Sequence, residues 1–374
     1  MRLDEPRAFE DRVSAHYSDQ LEDEPASKEP PKGSNPLLAV LVVIVVSLMV
    51  AAGAIGLSWA ISNRVESGRA SASQSRGVVD VVTRLGDENL EAAGTGIVLT
   101  PSGVILTNNH VISGATSISV TDATNGASYS ATVIGYDVAD DVALLQATGA
   151  AKLSTAAIGS SSGLAIGEAV IAVGNAGGTG GRPVAAKGTI IGLDQIITAE
   201  DRLDGTSETL AGLIETNANV VAGDSGGPLL SSAGQVVGLD TAAASDFNFA
   251  SQGNQSFAIP INAAVRIATE IRSGRPSTGV HIGPTAFLGV GILPGVPVSG
   301  AMVTAVLAGT PAAAAGLRAG DIIVSVGGAA VASSEALSAL IGGYRPGAAV
   351  VIGWVDPTGT AHSARARLVV GPPL

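Results

Sequence analysis

Three residues whose types could drive nucleophilic acyl chemistry stand in one suitable arrangement. Ser225 lies in the run Gly223-Asp224-Ser225-Gly226-Gly227-Pro228. A serine hydroxyl is a poor nucleophile until a base takes its proton. The flanking glycines let the backbone turn so that amides near the serine can face a developing oxyanion, and they let a substrate carbonyl come close. His110 lies in Thr107-Asn108-Asn109-His110-Val111, just after the apolar run 104–106, and Asp141 opens Asp141-Val142-Ala143-Leu144-Leu145. Alone, each would be an ordinary polar residue at the end of a strand. Of the other histidines, His16 is near the N-terminus, while His281 and His362 follow the serine. His110 is the one that fits.

These residues need a frame. From Gly77 to about Ala263 the chain consists of short β-rich runs broken by Gly, Asn and Asp, a spacing that predicts an all-β sandwich or barrel. Residues 260–272 have helical spacing with a proline near the start. Residues 273–284 read as a linker, and a smaller module follows over 285–371. Residues 198–212 read as a polar loop ahead of the strand that leads to the serine.

The N-terminal region is different in kind. Residues 1–36 hold nine acids and five bases and read as a disordered acidic tail. No charge occurs from Leu37 to Asn63, so 37–61 is long and apolar enough to be a membrane-spanning helix. Residues 62–76, rich in Ser and Arg, read as a flexible stalk. Basic residues flank the apolar run almost evenly, so charge does not orient it.

Composition sets further limits. With aromatics at 3%, the core must be built from Val, Ile, Leu and Ala. There is no cysteine, which excludes disulfides, thiolate metal sites and cysteine catalysis. The net charge of −12, without a basic stripe, argues against nucleic acid. No metal or cofactor is expected.

Residues 77–371 resemble the HtrA/Deg family of chymotrypsin-fold serine proteases with a C-terminal PDZ domain. The matching stretches are Thr107-Asn-Asn-His-Val, Asp141-Val-Ala-Leu-Leu, Ala172-Val-Gly-Asn, Gly188-Thr-Ile-Ile, the serine run and Phe257-Ala-Ile-Pro. The chain order His, Asp, Ser is also that of β-barrel proteases rather than of subtilisins or α/β-hydrolases. The resemblance implies two six-stranded barrels over 77–272 with the triad in the cleft between them, a linker over 273–284, and a small α+β PDZ domain over 285–371. It implies Ser225 as nucleophile, His110 as general base and Asp141, rather than its neighbour Asp140, as the orienting acid. It assigns the oxyanion hole to the amides of Gly223 and Ser225.

Asn219 and Thr241 become candidates for the pocket that holds the residue before the scissile bond. Asn219 is neutral, so a small or medium apolar residue is expected there. In the PDZ domain, Leu288, Gly289 and Val290 match the carboxylate-binding loop, and 334–341 the helix walling the groove. Peptide C-termini would add there as a strand. Asp224 departs from the family, which usually has Asn at this position. In digestive relatives such an acid pairs with a new N-terminal amine, and Arg76-Gly77-Val78-Val79 would be the place to make one; local amides are the simpler partner.

The expected function is a serine endopeptidase acting on unfolded or exported proteins outside the cytoplasmic membrane, held there by one helix. The alternative is a proteolytically silent PDZ scaffold or chaperone. The resemblance also allows a homotrimer, although the aromatics that family members use for it are missing between Trp59 and Tyr129.

Overall fold

A computed structural model describes residues 67–85, 90–200, 207–241, 255–275, 277, 279–293, 295 and 299–373. The acidic tail and the apolar run over 37–61 lie outside them. Among the described residues no helix is long and apolar enough to cross a membrane.

Strand β1 (Ser67–Arg69) precedes a first barrel made of β2 (Val78–Leu85), β3 (Leu90–Val98), β4 (Val104–Thr107), β5 (Ala115–Asp122), β6 (Ser128–Asp137) and β7 (Val142–Ala147). These six close in the order β2-β3-β4-β7-β6-β5, with β5 pairing back onto β2. One turn of helix, α1 (Asn109–Ile112), follows β4. The second barrel comprises β8 (Ala169–Gly174), β9 (Val184–Glu200), β10 (Ser207–Thr216), β11 (Pro228–Ser231), β12 (Val236–Thr241) and β13 (Ser256–Pro260). It closes in the order β8-β9-β10-β13-β12-β11, with β11 on β8. Inward positions alternate along each strand. They carry the expected aliphatic residues, among them Val81, Ile105 and Leu145 in the first barrel and Val170, Ile214 and Leu229 in the second.

Helix α2 (Ile261–Arg272) follows, burying Ile261, Ala264, Ile267, Ala268 and Ile271 at the spacing of one helical face. β14 (Val280–Ile282) then adds to the first barrel beside β6. The last module has β15 (Thr285–Phe287), β16 (Val290–Ile292), β17 (Ala301–Val306), α3 (Pro311–Ala315), β18 (Ile322–Val326), β19 (Ala329–Ala330), α4 (Ser334–Gly342), β20 (Ala349–Val355), β21 (Ala361–Arg367) and β22 (Val369–Gly371). Its core gathers Leu288, Val303, Leu317, Ile323, Leu337, Ile352 and Trp354.

Three boundaries differ from the sequence reading. Part of the presumed stalk is structured: β1 runs antiparallel to β9, Ser67 opposite Ala186, and Ala70 is fully buried with its amide on Pro183 O at 2.8 Å. Ser, Gly and Arg carry little strand propensity, so only pairing with β9 makes this strand. Part of the linker is likewise β14, three residues hidden among glycines and prolines. The polar loop over 198–212 is shorter than expected, because β9 continues to Glu200 and β10 starts at Ser207; residues 201–206 lie outside the described residues.

Candidate active site

β4 ends at Thr107, and the chain turns at once into α1, which carries His110. Asp141 ends the turn between β6 and β7 in a left-handed conformation, φ 51°. The two meet there. His110 Nδ1 lies 2.9 Å from Asp141 Oδ2 and 3.0 Å from Oδ1, and the His110 backbone amide donates to Oδ1 at 3.0 Å. The Thr241 hydroxyl reaches across from β12 in the second barrel to Oδ2 at 3.3 Å. Asn108 Nδ2 donates to the Asp141 carbonyl at 2.9 Å. The carboxylate is 4% exposed and the imidazole 32%. With Nδ1–H given to Asp141, Nε2 is the acceptor of the neutral ring. Asp140, beside it, is exposed and its carboxylate lies 3.9 Å from Arg266 Nη2.

Ser225 sits on the turn entering β11, pinned to the first barrel by Thr95 on β3. The Thr95 amide donates to Ser225 O at 2.8 Å, and its hydroxyl donates to Gly223 O at 2.7 Å while accepting from the Asn175 amide at 2.9 Å. The Gly226 amide donates to Asp240 O at 2.8 Å. Gly226 has φ +85°, and a Cβ there would fall on Thr95 O and Thr107 Oγ1, so only glycine lets the loop lie this close to β4. Gly94 fills the space between the two halves of the site: a Cβ there would stand 2.6 Å from Val111 Cγ1 and 3.2 Å from Ser225 O. Ser225 and the His110 helix therefore border the same small volume.

The peptide joining Ala222 to Gly223 is also fixed. Ala222 O accepts from the Gly177 amide at 2.8 Å, so in a trans peptide the Gly223 N–H faces the other way. Among the described residues that N–H has no acceptor, as an oxyanion donor requires.

Buried acids surround this loop. Asp224 Oδ2 accepts from the Val221 amide at 3.0 Å, so a local amide is its partner, while among the described residues its buried Oδ1 has none. Burial pushes the Asp224 carboxyl up to about 6. Asp240, on β12, is fully buried, and among the described residues neither carboxyl oxygen closes a hydrogen bond. Burial, and then the nearby Asp224 charge, hold its carboxyl well above the usual range; the Val173 amide only partly offsets this.

Of the pocket candidates, Asn219 is exposed. Thr241 is 1% exposed and its hydroxyl donates to Asp141, so it supports the acid. In the last module Leu288 is buried, and among the described residues the Leu288 and Gly289 amides have no acceptor. Val290 starts β16, which pairs with β17 on one side and is an edge strand on the other.

Comparisons with known proteins find two domains in the chain. A trypsin-like peptidase domain matches residues 94–239 and a PDZ domain matches 302–346. Serine protease PepD of Mycobacterium tuberculosis is 33% identical over 308 residues, covering 78% of this chain and 63% of the relative. This chain is an HtrA-type serine protease by family. The Do-like HtrA of Lactococcus lactis is 34% identical over 269 residues, 67% of this chain and 65% of the relative. The periplasmic pH-dependent serine endoprotease DegQ of Escherichia coli is 33% identical over 299 residues, 75% of this chain and 62% of the relative. The HtrA-type chain spans a little under two thirds of the length of each of these curated relatives.

Thr95 and Gly177 carry no motif of their own. Their part in the site appears only when the two barrels meet.

Proposed function

We propose that the chain is a serine endopeptidase using His110, Asp141 and Ser225. The carrying observation is the imidazole held by Nδ1 on a buried carboxylate, beside a serine on a pinned glycine turn. His110 Nε2 takes the Ser225 Oγ proton as Oγ attacks the scissile carbonyl, then passes it to the leaving amine. Asp141 fixes the imidazole tautomer and stabilises the imidazolium. The Gly223 amide, with that of Ser225, receives the oxyanion. The exposed, neutral Asn219 suits a small or medium apolar residue before the cut. Water completes the reaction by attacking the acyl-enzyme under the same base.

The PDZ module would take peptide C-termini on the open edge of β16, with the Leu288 and Gly289 amides meeting the terminal carboxylate. Residues 37–61 would anchor the chain, with both folded domains outside the cytoplasmic membrane; the uncharged apolar run supports the anchor, and the periplasmic relative supports the side. Substrates would be unfolded or exported proteins, and assembly as a homotrimer follows the same family reading. Casein cleavage by the wild type, lost in Ser225→Ala, tests the enzyme. Equal behaviour of the two proteins would leave a PDZ scaffold as the better reading.

A further inference from the structure

The turn that delivers Asp141 has one buried anchor. Residues 139 and 140 are exposed and Val138 is half-buried, whereas Asp137 is 4% exposed. Asp137 Oδ1 accepts from the Asp140 amide at 3.2 Å, the Ala139 amide also faces the carboxylate, and the Asp141 amide donates to Val138 O at 3.3 Å. Asp137 itself is clamped on both sides. As the last residue of β6 it pairs with Val142 on β7, the neighbour of Asp141, and with Val280 on β14. Gly279 packs on its carboxylate, where a Cβ would stand 2.8 Å from Oδ2.

This anchor matters because Asp141 is a non-glycine residue at φ 51°. Such a backbone is held only where its surroundings over-determine it, at a cost on the order of 1–3 kcal/mol. Three groups fix the carboxylate end: His110, its amide and Thr241. Asn108 fixes the carbonyl. On the incoming side, the side chain that shapes the turn is Asp137.

We propose that Asp137 is a positioning residue for the reaction: its carboxylate, seated under β14, holds the 138–141 turn so that Asp141 meets His110. The proposal rests on the endopeptidase reading above. It also gives β14 a task, since the strand that leads to the PDZ module is one wall of the seat.

The test uses the full chain and labelled casein, with kcat and KM resolved and rates followed across pH. For Asp137→Ala, kcat is expected to fall about tenfold or more with KM little changed, as for a catalytic group displaced by a fraction of an ångström. An imidazolium whose carboxylate drifts is less stabilised, so the acid limb of kcat/KM moves to lower pH. Loss of folded protein alone would lower kcat without moving that limb. Asp137→Asn keeps an acceptor for the Asp140 amide and is expected to match the wild type in rate and limb. Gly279→Ala presses on Oδ2 and should give a milder loss with the same shift.

Asp137→Ala with wild-type kcat and limb overturns the proposal. So does Asp137→Asn as impaired as the alanine protein. If Asp137→Ala fails to fold, Asp137→Asn and Gly279→Ala decide by the same criteria. A wild type that leaves casein intact, or a Ser225→Ala protein that cuts it equally, sinks the endopeptidase reading instead.

Discussion

The Thr241 hydroxyl donates to Asp141 Oδ2 at 3.3 Å, joining the second barrel to the acid of the first. Both side chains are buried and the acceptor is a carboxylate, but the contact is long for O–H···O, so its net worth is about 1 kcal/mol. It also opposes rotation of the carboxylate away from His110. Thr241→Val keeps the shape and removes the donor. Its kcat on casein should fall several-fold with KM little changed. Thr241→Ser should restore most of it. A valine protein with wild-type kcat would show that the other donors hold Asp141 without help.

Thr95 does the corresponding work for the serine loop. Its hydroxyl satisfies two buried backbone groups at once, Gly223 O and the Asn175 amide. Thr95→Val leaves both unsatisfied, a destabilisation of about 2–4 kcal/mol in denaturant unfolding. Activity should fall further than the folded fraction does, because the 223–224 peptide loses its tether. Thr95→Ser should recover both. Equal unfolding midpoints for valine and wild type would mean that the loop is held by Gly226 and Asp240 alone.

What the sequence could show followed from how local each signal is. Ser225 is visible because a glycine run is needed within a few residues of it, and Asp141 because an apolar strand starts beside it. Short β-rich runs broken by turn residues pointed to a sandwich or barrel, and two six-stranded barrels were implied only by the family resemblance. The parts played by Thr95, Thr241 and Asp137 were not legible, since a single Thr or Asp inside a strand looks the same whether it faces water or a distant polar group. β1 and β14 were missed for a related reason. Three residues carry no periodicity, and both strands exist only because β9 and β6 offer them an edge. Asp224 stood out as a departure from the family, but the neighbouring burden of Asp240 could not be read without the fold.

Gly226 allows a sharper test of the loop's position. At φ +85° with Thr95 O and Thr107 Oγ1 against its Cα, any Cβ must displace backbone. Gly226→Ala should lose casein cleavage and cost on the order of 3 kcal/mol or more of stability, from strain and overpacking together. Melting and activity of the purified variant check this; an alanine protein that is both stable and active would mean that the turn can retreat from β4.

Asp224 and Asp80 make the stability of the fold depend on pH in an unusual direction. Burial pushes both carboxyls up to about 6 from an ordinary value of 3.8; the Val221 amide offsets part of this for Asp224 and the Gly181 amide for Asp80. A carboxyl with a raised folded-state pKa makes the folded chain bind its proton more tightly than the unfolded chain. Its contribution is therefore most favourable below about 4, declines as pH rises through the window from 3.8 to about 6, and is fully unfavourable above it. Asp224→Asn keeps an acceptor for the Val221 amide and removes the charge, although its NH2 gains no acceptor. The variant should be more stable than the wild type by about 1–2 kcal/mol near pH 7.5, and the advantage should vanish near pH 4. Thermal melts of both proteins across that range measure the difference directly, and the general effects of acid cancel in it. A gap that stays the same at every pH would show that Asp224 is not the group taking up the proton.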